Sequence, residues 1–222
     1  MGGKRDYGDG CAVAHALELV GERWALLVVR ELLLGPKRFT DLHSGMPAVS
    51  PDILTQRLRE LTEVGVVHRR RLLPPASGWV YELTSWGREL EPIVVRLAQW
   101  SSRSPRMRYD APLSIDSLML SLRALFDPTA SAGFDATVVL VLGVQRFRLA
   151  IANGRLDVSR TGDEIGADVV FDTDPATLLA LLRTDHSIDD ALATGTLRLQ
   201  GDSALAERFR RLFPLPQLAN QT

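Results

Sequence analysis

"SPDILTQRLRELTEVGVVHRRR" (residues 50–71) contains a complete helix signal followed by a basic strand signal. Ser50 predicts the N-cap, because its hydroxyl can accept a hydrogen bond from the first turn, and Pro51 fits the first helical position, where no N–H is needed. Gly65 predicts the end of the helix. His68 and the three arginines after it fall in a β-rich run, so a capped helix is expected to lead into a basic strand.

The predicted helix has two faces of different chemistry. Leu54, Leu58 and Leu61 are spaced four and three apart and predict the face that packs inward. The opposite face carries polar side chains that can bond base edges or phosphates. These side chains are Asp52, Thr55, Gln56 and Arg59, with Ser50 and Arg57 on the flanks. Taken alone, the helix fits an ordinary surface helix equally well.

The neighbouring segments favour a winged helix-turn-helix. "CAVAHALELVGERWALLVVRELLLG" predicts helices interrupted near Gly21, and "RFTDLHSGM" predicts a short helix ending at Gly45. "GWVYELT" predicts the hairpin partner of the basic strand across the loop 74–78, and Thr84 predicts the cap of one helix over "SWGRELEPIVVRLAQW". In such a unit the second helix of the turn enters the major groove and the hairpin contacts the adjacent backbone.

Charge is distributed unevenly along the chain. The first 108 residues contain 16 Lys and Arg against 12 Asp and Glu, whereas the remainder contains 10 against 15. A polyanionic partner is therefore expected at the first half. Residues 69–71 are all arginine, and Lys37, Arg38 and Arg88 add positive charge to the same unit. A phosphate backbone favours Lys or Arg at several such points.

The second half has a different pattern. Residues 101–112, "SSRSPRMRYDAP", are polar and end in proline, so we predict a linker at 105–112 between domains of residues 1–104 and 113–222. "SIDSLMLSLRALF", "DPATLLALLR", "SIDDALATG" and "SALAERFRRLF" predict helices. "ATVVLVLG", "QRFRLAIANG", "RLDVSR", "ADVVFDTD" and "TLRLQGD" predict strands, with Asn153-Gly154 as a hairpin turn. The expected fold class is α+β, a winged helix-turn-helix domain followed by a mixed α/β domain.

Six landmarks follow one another over about residues 11–103. In order, they are Cys11, "GERW", "LLGPKRF", "SPDILTQRLREL", "YELTSWGREL" and Trp100. This set resembles the HxlR-type winged-helix transcriptional regulators. The resemblance implies a homodimer, formed through the first and last helices of the domain, on a roughly two-fold symmetric operator in double-stranded DNA. "PPASGWVYELT" departs from the family pattern, because it is a longer and more glycine-rich wing.

Cys11 stands where this family usually places its cysteine, which some relatives use as a thiol sensor. That role requires a lowered pKa and solvent exposure. The chain has no second cysteine, so a redox role would require a disulfide between subunits or a mixed adduct. A free, unreactive thiol is the alternative.

Two segments of the second half resemble the lipid-binding domain of the sterol carrier protein type two superfamily. They are "ANGRLDVSRTGDEIGADVVFDTDPATLLALL" and "SIDDALATGTLRLQGDSALAERFRRLF". The resemblance implies a lipid-carrier-like domain in which helices and a sheet enclose an apolar cavity, and hence an apolar small-molecule effector. The alternative is that the apolar side chains fill the interior and the domain only dimerises. The sequence does not predict which residues would line a cavity.

Several functions are disfavoured by the sequence. A single cysteine excludes an internal disulfide and a cysteine-cluster metal site, and the histidines have no partner at ligand spacing, so no metal is expected. We find no nucleophile–base pair or phosphate-binding loop, and therefore expect neither an enzyme nor a cofactor. No apolar run approaches the length of a membrane span or signal peptide, so we expect a cytoplasmic protein that does not contact a membrane.

The sequence thus predicts a dimeric, sequence-specific DNA-binding transcriptional regulator, with base contacts from Thr55, Gln56 and Arg59. The full set of predicted DNA contacts is Arg38, Thr40, Ser50, Asp52, Thr55, Gln56, Arg57, Arg59, Arg69, Arg70 and Arg71. The alternative is a carrier or scavenger of a lipid-like small molecule whose helical half only dimerises.

Overall fold

The computed structural model describes residues 6–73, 77–109, 111–183 and 186–219. It divides into two compact units, Met1–Val94 and Val95–Thr222. The linker predicted at 105–112 lies inside the second unit by this division, and the predicted domain boundaries stay a prediction. Part of the predicted hairpin loop, residues 74–76, lies outside the described residues. No helix in the described part of the chain has both the length and the apolar character needed to cross a membrane.

The first unit contains the predicted helices and hairpin in the predicted order. Its elements are α1 (Ala12–Val20), α2 (Ala25–Leu32), α3 (Phe39–Gly45), α4 (Pro51–Glu63), β1 (Val67–Arg71), β2 (Trp79–Leu83), α5 (Ser85–Arg88) and the start of α6 (Glu91–Ser101). Helix, turn, helix and antiparallel hairpin follow one another from α3 to β2. This confirms the winged helix-turn-helix fold.

The predicted capping signals act where the sequence places them. Ser50 Oγ accepts a hydrogen bond from Ile53 N at 3.4 Å at the start of α4, and Pro51 occupies the first helical position. Gly65 follows the helix with φ +77°, a conformation that glycine adopts without steric cost. Thr84 Oγ1 accepts from Gly87 N at 2.9 Å at the start of α5. Local side-chain chemistry therefore fixes the ends of these elements.

The single helix predicted after Thr84 is instead two helices, α5 and α6. Pro92 has no N–H and cannot donate to the carbonyl of Arg88, four residues earlier. Leu90 N bonds the carbonyl of Gly87 at 3.2 Å, which is the tighter spacing of a turn that ends a helix. The prediction of one helix was wrong because it gave too little weight to this proline.

The predicted inward stripe of α4 forms the centre of the first core. Leu54, Leu58 and Leu61 are each no more than 1% exposed. They belong to one apolar cluster with Val28 and Val29 of α2, which are fully buried. Because α4 is held on this side, its opposite face is left to solvent.

The second unit is a mixed sheet with helices. Its elements are α7 (Ile115–Leu125), β3 (Ala136–Leu142), β4 (Gln145–Ala152), β5 (Arg155–Arg160), β6 (Val169–Thr173), α8 (Pro175–Leu182), α9 (Ile188–Ala193), β7 (Leu197–Gly201) and α10 (Ser203–Arg210), together with the end of α6. The strand order is β5-β4-β3-β6-β7, with β3 and β6 parallel and the other neighbours antiparallel. The turn at Asn153-Gly154, with φ of 51° and 70°, joins β4 to β5 as predicted. The whole chain is α+β.

Aromatic side chains fill the space between β6 and α10. The ring centroids of Phe171 and Phe209 are 5.4 Å apart, and those of Phe209 and Phe213 are 5.1 Å apart in an edge-on arrangement. All three side chains are buried. The sheet is therefore closely packed at this position.

Candidate nucleic-acid interface

The polar face of α4 is exposed along most of its length. Ser50, Asp52, Thr55, Gln56 and Arg59 all lie on the surface, as predicted from their spacing against the leucine stripe. Because α4 packs against the core through its buried side, this face is exposed and available to a groove. Its fit to DNA stays a prediction.

The side chains on this face are held by contacts within the helix. Gln56 Nε2 donates to the carboxylate of Glu60 at 2.9 Å. The guanidinium of Arg59 lies 3.6 Å from the carboxylate of Glu63, and both side chains are well exposed. An exposed pair of this kind contributes little stability, so Arg59 can exchange it for another partner.

The structure corrects the prediction for Arg57. Its side chain is buried, and its guanidinium forms ion pairs with Glu60 and, at 3.7 Å, with Glu22. Position 57 is three residues after Leu54, which places it beside the leucine stripe rather than on the polar face. Arg57 therefore stabilises the packing of α4 and is not part of the exposed surface.

In the hairpin, which we call the wing, Arg69 is stacked against aromatic side chains. Its guanidinium carbon lies 4.6 Å from the ring centroid of Trp79 and 5.9 Å from that of Tyr81. Arg69 pairs with Tyr81 across the strands, and Arg71 pairs with Trp79. The alternation of β1 puts Arg69 and Arg71 on the same side of the wing, where both are exposed.

Arg70 lies on the other side of the wing, in a cluster around Glu82. Arg70 Nε donates to Glu82 Oε2 at 2.6 Å, and Arg88 Nη2 donates to Glu82 Oε1 at 2.8 Å. The hydrogen bond from Arg70, together with the charges of Arg70, Arg88 and His68, lowers the pKa of the Glu82 carboxyl against the opposing effect of its burial. The sequence reasoning missed Glu82, which neutralises part of the positive charge predicted here.

The segment before α3 ties the wing to the helix-turn-helix. The backbone of Lys37 forms two hydrogen bonds with that of Tyr81, at 3.0 and 2.8 Å. Lys37 Nζ donates to the fully buried carboxylate of Glu31 at 2.6 Å, and Arg30 pairs with the same carboxylate at 2.8 Å. Lys37 was expected to add surface charge near DNA; it is buried and neutralised instead.

The two other predicted contacts in this region are exposed. Arg38 Nη2 donates to the carbonyl of Ser77 at 2.8 Å, which links the start of α3 to the wing loop. Thr40 lies on the surface in the first turn of α3. The structure thus brings α3, α4 and the wing into one unit that presents most of the predicted contacts to solvent.

Apolar side chains remain exposed on α1 and α6. Neither helix contains a buried residue. Val13 and Leu17 are 67% and 48% exposed on α1, and Leu97 and Trp100 are 46% and 75% exposed on α6. Helices that leave their apolar side chains in solvent are typical of surfaces that a protein partner covers.

Cys11 is exposed directly before α1. The backbone N–H groups of Ala14 and Val13 lower the pKa of its thiol. Their effect follows from the position of the thiol at a helix N-terminus, where the amides have no partner within the helix.

The second unit contains an apolar cavity of about 120 Å³. Its walls include Ala98 near the end of α6, Leu122 of α7, Leu179 of α8 and Phe213. The sequence reasoning could not name these residues, because a cavity exists only where apolar side chains fail to meet.

The chain was compared with known proteins. Residues 19–108 match the model of the HxlR-like helix-turn-helix family, and residues 130–214 match that of the SCP-2 sterol transfer family. The HTH-type transcriptional regulator YdeP of Bacillus subtilis is 34% identical over 97 residues, which are 43% of this chain and 74% of that protein. YybR, from the same organism and described in the same way, is 36% identical over 94 residues, which are 41% of this chain and 74% of that protein.

Part of the chain is also similar to solved structures. The reduced form of the transcriptional regulator YodB from B. subtilis is 29% identical, with a TM-score of 0.39 over 44% of this chain and 97% of that chain. The curated relatives are described as HTH-type transcriptional regulators, and the family model spans the helix-turn-helix and the wing described above. The chain therefore belongs to the HxlR-like helix-turn-helix family and is a DNA-binding transcription regulator whose second half matches the SCP-2 sterol transfer family.

Proposed function

We propose that the protein binds a roughly two-fold symmetric operator as a homodimer, with α4 in the major groove and the wing against the neighbouring backbone. The observation that carries this proposal is the exposed face of Asp52, Thr55, Gln56 and Arg59 on a helix whose leucine face is buried. A helix presented in this way can enter the major groove without any rearrangement of the core.

The side chains on α4 differ in the contacts that they can make. Arg59 has the donors for a guanine, and the amide of Gln56 suits an adenine once it exchanges its contact with Glu60. Thr55 and Asp52 can accept hydrogen bonds from base amino groups. These residues would supply sequence preference.

The remaining exposed groups suit the phosphate backbone. Ser50, Arg38 and Thr40 lie near the starts of α4 and α3, where helix N-termini favour anions. Arg69 and Arg71 extend from one side of the wing, and Arg70 joins them with its charge partly compensated by Glu82. Such contacts position the protein and make its affinity depend on salt.

The dimer in this proposal forms through α1 and α6. Their exposed apolar side chains, Leu17 and Trp100 among them, would be covered by the same helices of a second copy. The two copies of α4 would then meet successive major grooves about 34 Å apart. Because an operator is part of chromosomal DNA, the proposal also implies a cytoplasmic protein.

We further propose that an apolar small molecule in the second unit controls DNA binding. The cavity beside Ala98 and Leu122 supports this role. A ligand regulates only if it binds the DNA-competent and DNA-incompetent states with different affinity. The same cavity also supports the alternative function, a carrier of a lipid-like molecule in which the first unit only dimerises.

Footprinting on the region upstream of the protein's own gene tests the regulator function. We expect the wild-type protein to protect a site with two-fold symmetry. At the same protein concentration, the Arg59→Ala variant should not protect this site. The same substitution on an exposed arginine of the second unit, Arg155→Ala, serves as the control and should retain protection. If no duplex is bound in preference to any other, and Arg59→Ala changes nothing, the carrier function is favoured.

A further inference from the structure

A fully buried carboxylate, that of Glu31 in α2, lies beneath the segment that leads into α3. Glu31 Oε2 accepts a hydrogen bond from Lys37 Nζ at 2.6 Å, and Oε1 accepts from Arg30 Nη2 at 2.8 Å. A buried ion pair often adds no net stability over an apolar replacement, because the attraction only offsets the loss of hydration. What the pair of Glu31 and Lys37 does provide is a fixed distance between α2 and the segment before α3.

The backbone of Lys37 is bonded to the wing. Lys37 N donates to the carbonyl of Tyr81 at 3.0 Å, and Tyr81 N donates to the carbonyl of Lys37 at 2.8 Å, so Lys37 forms a bridge to β2. Tyr81 in turn pairs with Arg69 of β1. A chain of contacts therefore leads from the buried carboxylate, through one lysine, to the strand that carries the exposed arginines.

The end of α3 lies against the same carboxylate. Gly45 is the last residue of α3, and a methyl group on its α-carbon would overlap Glu31 Oε2. Its φ is not in the positive region, so this close approach, and not backbone strain, explains the glycine. On its apolar side, α2 contributes Val28 and Val29 to the cluster that contains Leu54 of α4. Thus α3, α4 and the wing are all placed against α2, but only α3 and the wing through Glu31.

We propose that Glu31 is a positioning residue for DNA binding, whose carboxylate holds Lys37, and hence the wing, at the distance from α4 that lets both contact one operator half-site. This inference rests on the proposed function. Because the leucine stripe of α4 packs on α2 through apolar contacts, loss of the Glu31 charge leaves α4 in place and lets the wing shift. Base contacts from α4 then persist, whereas phosphate contacts from the wing are lost.

Amide hydrogen exchange of the full-length protein without DNA tests the link to the wing. Glu31→Gln keeps the shape of the side chain and removes its charge, so the amides of Lys37 and Tyr81 should exchange about tenfold faster than in the wild type. The amide of Leu58, in the buried stripe of α4, should keep its rate. Val29→Ala, which weakens the core through the same helix, is the control and should not accelerate Lys37 and Tyr81 more than Leu58.

A second variant moves the carboxylate without changing any charge. Gly45→Ala should push the carboxylate of Glu31 away from Lys37 and accelerate the same two amides selectively. Gly162→Ala is its matched control, because a methyl group added there meets nothing within 4 Å. If neither Glu31→Gln nor Gly45→Ala accelerates the Lys37 and Tyr81 amides relative to Leu58, the proposal is wrong.

A double-mutant cycle tests the consequence for DNA, with fluorescence anisotropy of operator binding over a salt series. Arg71→Ala should reduce the slope of log K against log salt by about 1 in the wild-type background. In the Glu31→Gln background it should leave the slope unchanged, because the shifted wing no longer meets that phosphate. The relative affinities for operators with single base-pair changes should be the same in both backgrounds, since α4 has not moved.

The outcomes separate this inference from the proposed function. If Arg71→Ala reduces the slope equally in both backgrounds, the position of the wing does not depend on Glu31 and the inference is overturned. If the Lys37 and Tyr81 amides respond selectively but no duplex is bound in preference to any other, the link between Glu31 and the wing stands and the proposed function fails.

Discussion

Arg70 donates a 2.6 Å hydrogen bond to the carboxylate of Glu82 across the two strands of the wing. The same carboxylate accepts from Arg88 at 2.8 Å. Two positive charges therefore share one negative charge on one side of the wing, whereas Arg69 and Arg71 lie on the other side. The arginines of the "RRR" run thus have different electrostatic surroundings, although they are adjacent in sequence.

This difference predicts unequal effects of arginine substitutions on DNA binding. Arg71→Ala should weaken binding to all duplexes alike and reduce the slope of log K against log salt by about 1, as expected for one lost phosphate contact. Arg70→Ala should reduce the slope by less, because Glu82 already compensates part of its charge. Fluorescence anisotropy over a salt series measures both slopes. Equal slopes for the two variants would show that Glu82 does not screen Arg70.

The Glu82 cluster also predicts how the stability of the wing depends on pH. The pKa of Glu82 is lowered by folding, so its stabilisation is fully present above the ordinary glutamate pKa of about 4.3 and is lost as the pH falls through the lower folded value. Glu82→Gln should reduce the free energy of unfolding by about 1 kcal/mol at pH 7, since a hydrogen bond to a charged group is lost. At pH 3 the free energies of unfolding of the wild type and Glu82→Gln should differ by less than at pH 7.

Urea unfolding at both pH values measures this difference. Glu63→Gln on the exposed side of α4 controls for the loss of one negative charge. If the difference in free energy of unfolding between the wild type and Glu82→Gln grew as the pH fell, folding would raise the pKa of Glu82 and not lower it.

The capping residues explain why much of the fold could be predicted from the sequence. Ser50, Gly65 and Thr84 act through neighbours within a few residues, so their effect is visible in the sequence and is confirmed in the structure. The strand pattern of the second half succeeded for the same reason, because alternation and the turn at Asn153-Gly154 are local. Pro92 was an equally local signal that ended α5, and it was overlooked.

The errors in the candidate site concern two basic side chains that form ion pairs in the structure. Arg57 was assigned to the flank of the polar face, although its position three residues after Leu54 places it beside the leucine stripe. Its ion pair with Glu22, 35 residues earlier, could not be predicted from α4. Lys37 was assigned to the surface because its pairing with Glu31 requires the turn between α2 and α3. The exposed α4 residues could be predicted because they depend only on helical spacing relative to Leu54 and Leu58.

Arg59 is predicted to contact a base rather than a phosphate. Arg59→Ala should weaken the free energy of operator binding by about 1–3 kcal/mol. It should also relax the base preference at one base-pair position in each half-site. Its effect on a random duplex should be small. Binding of an operator library with single base-pair changes measures the preference, and Arg155→Ala serves as the matched control. A uniform loss across the library would assign Arg59 to the backbone instead.

The exposed apolar side chains of α1 and α6 predict that dimerisation fails when either is made charged. Leu17→Glu or Trp100→Glu should weaken the dimer by about 2 kcal/mol or more, because each would bury a charge without a partner. Sedimentation velocity over a concentration series measures the shift towards monomer. Ile165→Glu, at a residue that is 78% exposed on a loop of the second unit, is the control. If both α-helix variants remain dimeric, another surface forms the dimer.

Cys11 is predicted to ionise at a lower pH in the folded protein than in the unfolded chain. The N–H groups of Ala14 and Val13 stabilise its thiolate, so the pKa falls. The pH midpoint of its alkylation by iodoacetamide should therefore lie below the midpoint in urea, which is expected at about 8.5. Ala14→Pro removes one of these donors at a position where the helix itself does not use the N–H, and should move the midpoint upward. Equal midpoints in the folded and unfolded protein would mean that the helix end does not activate the thiol, which would favour the unreactive alternative over a redox role.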